Sequence, residues 1–208
     1  MAKQTLQAAT AAGQVALGAL QDPSGALSQC VTQDHSRATY RYCGIFTLSV
    51  ATPTCVILIQ GGGNTARVRR VGLAGWATTE GVMRALATRR TTAPTLGSAV
   101  LTAVSASLVD PASSSSPTTI VSTVGTANIT TQGTTGGILG CGVITFPKAA
   151  TIGAGQNCLA WPHGFQSDAG QSWVLRGSNN WISIELNGDA VPAGGVLLYE
   201  IEIEEDAS

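Results

Sequence analysis

Residues 171–205 read QSWVLRGSNNWISIELNGDAVPAGGVLLYEIEIEE. Three apolar-rich runs, SWVLRG, WISIELNGD and VLLYEIEIEE, are separated by clusters of Gly, Asn, Asp and Pro. That is how antiparallel strands joined by tight turns are written. In the last run Tyr199, Ile201 and Ile203 alternate with Glu200, Glu202 and Glu204. A period of two sends one row into a core and the other toward water or a partner. The middle run repeats the logic, with Ile182, Ile184 and Leu186 on one side and Trp181, Ser183 and Glu185 on the other. The terminal glutamates read as the solvated face of an edge strand.

Working outward, the 208 residues suit one all-β domain or, less readily, two small ones. Only 11% of residues are charged, against about 25% in typical globular domains. Such a low charge density suits a surface partly covered by neighbours, and a Ser/Thr-rich polar surface accounts for it equally well. The net charge of −1 provides no global field toward nucleic acid or membrane. The distribution is uneven. Arg67, Arg69, Arg70, Arg84, Arg89 and Arg90 lie in one stretch, while Glu200, Glu202, Glu204, Glu205 and Asp206 crowd the end. Opposite poles of this kind pair across adjacent strands or across a subunit boundary. A solvated edge that discourages aggregation is the plainer reading of the arginines.

The five cysteines, Cys30, Cys43, Cys55, Cys141 and Cys158, form no CxxC and no Cys/His spacing. Cys43, Cys55 and Cys141 sit in apolar runs, so reduced, buried thiols are expected, with one disulfide as the alternative. Met1-Ala-Lys-Gln opens no signal peptide, and no run approaches the roughly 20 apolar residues of a membrane span.

In chain order, residues 1–36 are expected to be an N-terminal arm or short helix, and residues 37–208 the sandwich. Arg37–Leu48 reads as a first strand pair with Tyr40, Tyr42, Ile45 and Phe46 as core candidates. Cys55–Ile59 is a continuous apolar run, the mark of a strand buried on both faces. Gly61-Gly62-Gly63-Asn64 is a turn, since no Lys-Ser/Thr follows it as a phosphate cradle requires. Ala66–Ala77 and Gly81–Arg90 read as the next pair. Arg67, Arg69, Val71 and Leu73 share one parity, so the phase must slip near Arg70, which indicates a bulge. Thr91–Ser98 reads as a loop, and Val100–Val109, Ile120–Val124 and Ile138–Phe146 as further strands. Eight to ten strands with long loops predict an antiparallel β-sandwich, with a jelly roll as the expected topology.

Chemistry is sparse. Asp34-His35-Ser36 holds the residue types of a catalytic triad, but adjacent residues do not converge as that geometry requires. His163 reads as a loop residue packed beside Trp161. No metal-ligand spacing and no nucleophile elbow appear, so no catalytic residue, cofactor or metal is expected. Glu185 and the terminal glutamates are the few strand-borne carboxylates available for glycoside hydrolysis. Trp76, Trp161, Trp173 and Trp181 suit either core anchoring or stacking on sugars.

Arg37-Ala-Thr-Tyr with Ile45-Phe-Thr-Leu, Arg67-Val-Arg-Arg-Val-Gly-Leu-Ala-Gly, Arg89-Arg-Thr-Thr, the small-residue loop Ala93–Ser98 and the closing run from Trp173 to Glu205 together resemble virion structural proteins encoded near the head genes of tailed bacteriophages. The closing run is the distinctive part, and the first thirty-odd residues have no counterpart in that family. The resemblance implies a β-sandwich in the virion, assembled in the host bacterial cytoplasm. A capsid decoration (cement) protein fits best, a homotrimer bridging the major capsid protein. In that role the candidate subunit-interface residues are Arg67, Arg69, Arg70, Arg89, Arg90, Glu200, Glu202 and Glu204. The partners expected are capsid subunits and copies of the chain, with neither nucleic acid nor membrane. The alternative is a tail or head fibre module that binds host surface glycans.

Overall fold

The computed structural model describes residues 19–21, 27–29, 37–109, 116–148, 165–166 and 172–206. Every regular element among them is a strand: β1 (Ala19–Gln21), β2 (Leu27–Gln29), β3 (Arg37–Thr47), β4 (Cys55–Gln60), β5 (Thr65–Trp76), β6 (Gly81–Arg90), β7 (Val100–Ala103), β8 (Ser107–Leu108), β9 (Ile120–Gly125), β10 (Thr135–Phe146), β11 (Phe165–Gln166), β12 (Trp173–Arg176), β13 (Trp181–Glu185) and β14 (Val196–Asp206). The chain divides into two units, Met1–Arg37 and Ala38–Ser208. In the first, β1 and β2 pair antiparallel, Ala19 opposite Gln29 and Gln21 opposite Leu27. The described part of this stretch is therefore a strand pair and not a helix.

The second unit is a β-sandwich of two antiparallel sheets. One runs β10-β6-β13-β4-β9-β7, and the other β11-β5-β14-β3-β8 with β12 also on β5. Their inner faces share one core. Tyr40, Tyr42, Val71, Leu73, Ile201 and Ile203 from one sheet meet Ile57, Ile59, Met83, Ile144, Ile182 and Ile184 from the other. Along β14 buried and half-buried positions alternate without a break, as its spelling requires. β4 is buried on both faces. A second apolar cluster, in which Ala99 and Ile129 join Cys55, Leu58 and Val124, lies against its other side.

The bulge near Arg70 is present. The β14–β5 register passes from Glu202 opposite Arg70 to Ile203 opposite Val68, skipping Arg69. Two consecutive arginines thereby turn outward while Val68 and Val71 both face the core.

Three expectations are corrected. β14 is no edge strand, since β5 and β3 flank it. The runs read as hairpin pairs do not pair with each other: β5 and β6 lie in opposite sheets, and so do β12 and β13, and β13 and β14. Their turns carry the chain across the core. A period of two and a glycine-rich turn are the same for a hairpin and for a crossing between sheets. Third, Arg37–Leu48 is not a strand pair: Arg37–Thr47 is one unbroken strand, and Gly44 is no turn. Tyr199 lies over it so closely that any Cβ would collide with the phenol oxygen. An unbroken strand puts Ile45 in the outward row with Arg41 and Cys43, where it is 62% exposed.

Replacing Ile201 by Ala should lower stability by about 2–5 kcal/mol, whereas Glu202→Ala on the outer row should cost no more than about 1 kcal/mol. Urea unfolding monitored by tryptophan fluorescence measures both.

Candidate functional site

On the outer face of β3, β14 and β5, the alternation that buries isoleucines lines up charges. Glu200 meets Arg70 at 3.5 Å and Arg41 at 3.4 Å, and Arg41 also reaches Glu202 at 3.3 Å. Arg69 meets Glu204 at 3.2 Å, and Arg67 pairs with Asp206. The expected set of interface residues is thus divided. Arg67, Arg69, Arg70, Glu200, Glu202 and Glu204 form a ladder with partners inside the chain, while Arg89 and Arg90 belong to the opposite sheet. Arg41 completes the ladder and was missed. The signal for it was present, because a single strand over 37–47 places Arg41 in the outward row. Nearby, Cys43 is exposed and free, and burial followed by the Glu200 charge raises its thiol pKa.

Arg89 is half-buried, and a Cβ added at Gly136 would meet its stem at 3.2 Å. Arg90 is 7% exposed, and its guanidinium satisfies all five N–H donors. Nε donates to Ser183 Oγ at 3.1 Å. Nη1 donates to Thr135 Oγ1 at 2.6 Å and to the Gly133 carbonyl at 3.3 Å. Nη2 donates to Glu185 Oε1 at 2.6 Å and to Gln132 Oε1 at 2.7 Å. Ser183 Oγ donates to Glu185 Oε1 at 2.5 Å. The row Trp181, Ser183 and Glu185, read as the outer side of its strand, is therefore covered. Two segments form the cover, joined where Thr95 and Thr131 exchange backbone bonds and where Thr91 N–H donates to the Thr134 carbonyl at 3.0 Å. Glu185, the strand carboxylate singled out for hydrolysis, is held in this buried ion pair. Beneath the cover lies the Cys55 thiol, raised well above its ordinary pKa first by burial and then by the Glu185 charge, with Arg90 opposing.

A second buried carboxylate ties the end of β14 to the segment that leads into β9. Glu205 accepts from Thr118 N–H at 2.9 Å, Thr118 Oγ1 at 3.0 Å and Thr119 N–H at 2.7 Å. Tyr42 donates to the Thr119 carbonyl at 3.0 Å, and burial, then the Glu205 charge, hold its phenol far above its usual pKa.

At the surface, Arg84 is bound to Asp189 through Nε, Nη2 and its own backbone N–H. The guanidinium and that N–H pull the Asp189 carboxyl down to about 2.

The thiols depart from expectation in part. Cys55 is buried, but Cys43 and Cys141 are exposed, because each falls on the outward row of its strand. Trp76, Trp173 and Trp181 are half-buried and not fully exposed platforms. His35, His163, Trp161, Cys30 and Cys158 lie outside the described residues. Among those described, no group of three or more His, Cys, Asp or Glu is arranged to hold a metal ion, and no helix is long and apolar enough to cross a membrane.

Fold and site together define an all-β sandwich whose charged side chains are largely matched within one chain. Comparison with known proteins found no matching family model, no matching curated protein and no matching solved structure.

Replacing Arg90 by Ala strands the Glu185 carboxylate, and should cost about 3–5 kcal/mol. In the same variant a thiol reagent should reach Cys55 under native conditions, whereas in the parent protein Cys55 should react only on unfolding. The Asp189 carboxyl should titrate near 2 by NMR. Its folded pKa lies below the unfolded one, so its contribution is present above the ordinary carboxylate range and lost as pH falls through about 2. Arg84→Ala removes the guanidinium but keeps the backbone N–H at 84, so it should raise the carboxyl only part of the way back toward that range.

Proposed function

We propose that this chain is a structural component of a tailed-phage virion, a head decoration protein that fastens capsid subunits by covering surface between them. The observation that carries the reading is the strand order. Taken in chain order, β3, β4, β5, β6, β10, β12, β13 and β14 supply one sheet segment β3-β14-β5-β12 and another β4-β13-β6-β10. Numbered first to eighth, these read first-eighth-third-sixth and second-seventh-fourth-fifth. We read this order as a jelly roll, the double Greek key used by viral capsid and lectin domains. Fold alone does not fix function. The closing run's resemblance to virion proteins selects the capsid use, and the engagement of Glu185 with Arg90 disfavours its use as a hydrolytic acid.

A fastener works by repetition. An interface of about 800 Å² per partner is ordinary for a specific contact, and many symmetric copies multiply modest contacts into resistance to internal pressure. The partners on this reading are the major capsid protein and further copies of the chain.

The test is to add purified protein to phage heads that lack it. Saturable binding on the outer shell, with a rise in the temperature at which heads release DNA, supports the proposal. Binding to host polysaccharide or cells with none to heads would replace it with the glycan-binding fibre reading.

A further inference from the structure

The ends of the two sheets differ in a way that bears on self-association. At the ends, β7, β8, β11 and β12 contain 4, 2, 2 and 4 residues, whereas β10 contains 12. Proteins keep edge strands short, or place charge, proline or bulges on them, because an open edge is a template for another strand. β10 reads TGGILGCGVITF, with neither a charge nor a proline. Its first half is bulged twice, between Thr135 and Gly137 and between Ile138 and Gly140. From Gly140 to Phe146 the register with β6 is unbroken, and among the described residues no strand of its sheet lies on its other side.

The outward side chains beside this regular half are also uncharged or neutralised. Cys141 is exposed, Val143 is 38% exposed, and Val82 of β6, opposite Thr145, is 62% exposed. Arg84, opposite Val143, is the one exposed charge in the outward row of β6, and it is held by Asp189.

We propose that Gly140–Phe146 is a self-association surface, on which a second copy of this chain lays its own β10 antiparallel across a two-fold axis near Val143. The two six-stranded sheets then become one. Charge selects this occupant. A partner strand carrying Lys or Glu would bury that charge against Val82 and Val143, where the only ion is already matched. An identical strand brings no charge, and a two-fold contact satisfies at once two edges that are unpaired among the described residues. The inference stands apart from the virion reading, since it is read in solution with no particle present.

Sedimentation equilibrium of the full chain from about 1 to about 100 μM, spanning ordinary association strengths, tests it. A dimer is expected. Val143→Lys places two lysines at the axis, and should weaken association by about tenfold or more, while circular dichroism and the unfolding midpoint stay close to the parent's. Cys43→Lys, on the other sheet, should leave association unchanged. A variant with Cys30, Cys43 and Cys158 changed to Ser should be cross-linked through Cys141 by a bis-maleimide. The two thiols would lie four positions apart along the paired strands, roughly 14 Å. A monomer throughout the range, association indifferent to Val143→Lys, or a dimer that Cys141 does not cross-link would each overturn the proposal.

Discussion

The fold depends on burying one row of β14, Leu197, Tyr199, Ile201 and Ile203, at the middle of a sheet. Each fully buried aliphatic side chain contributes about 1.5–3 kcal/mol relative to exposure, and the row faces Ile57, Ile59, Ile182 and Ile184 across the core. Position multiplies the effect, because a strand flanked on both sides also has both sets of backbone groups paired. The glutamates follow as a consequence. Once the isoleucines point inward, Glu200, Glu202 and Glu204 must stand beside the arginines of β3 and β5. Exposed ion pairs contribute no more than about 1 kcal/mol each. The apolar row therefore sets the fold, and the charges penalise other registers. The bulge at Arg69 is the local adjustment that keeps both Val68 and Val71 in the core.

β13 shows the same period in other surroundings. Its inner row is core, but its outer row is covered, so Ser183 and Glu185 need partners within the protein. Arg90 supplies them and reaches onward to Gln132, Gly133 and Thr135. A buried ion pair is seldom more stabilising than a well-packed apolar set, yet losing one member strands a charge. The network therefore acts mainly on specificity: it ties the segment around Gln132–Thr135 to the sheet in one arrangement. The carboxylate of Glu205 does comparable work at the end of β14, where it gathers two backbone N–H groups and a hydroxyl that would otherwise lack acceptors.

Much of this was legible in the residues because strand periodicity is a local property. The two-sided burial of β4, the alternation of β14 and the slip near Arg70 all follow from the spacing of apolar side chains. Pairing is not local, and there the reading failed. Arg37–Leu48 reads as a strand pair until Tyr199, remote in sequence, is placed over Gly44. The turns that carry the chain from sheet to sheet are spelled like hairpin turns, so β14 was taken for an edge. Burial of the outer row of β13 was invisible because the covering segments are Gly- and Thr-rich and show no amphipathic pattern. The candidate interface residues were found as charges, but the sequence cluster Arg67–Arg90 divides between two sheets. Proximity in sequence does not survive a chain that crosses the core at each turn.

Matching of charge within the chain changes what its surface can offer a neighbour. Arginines and glutamates engaged with each other across β3, β14 and β5 have less to gain from outside, because a new partner must first displace the old one. Long-range steering is weak as well, with a net charge of −1. What remains for recognition is shape, uncharged side chains and backbone hydrogen bonding. Those features reward close and repeated contact over attraction at a distance. A sandwich of two antiparallel sheets is shared by proteins with unrelated tasks, so the task resides in the dressing of the sheets. Here one sheet is dressed in ions that satisfy each other. The other is dressed in a cover along β13 and β4, and in valines beside β10. That asymmetry, more than the strand order, sets one face of this chain apart from the other.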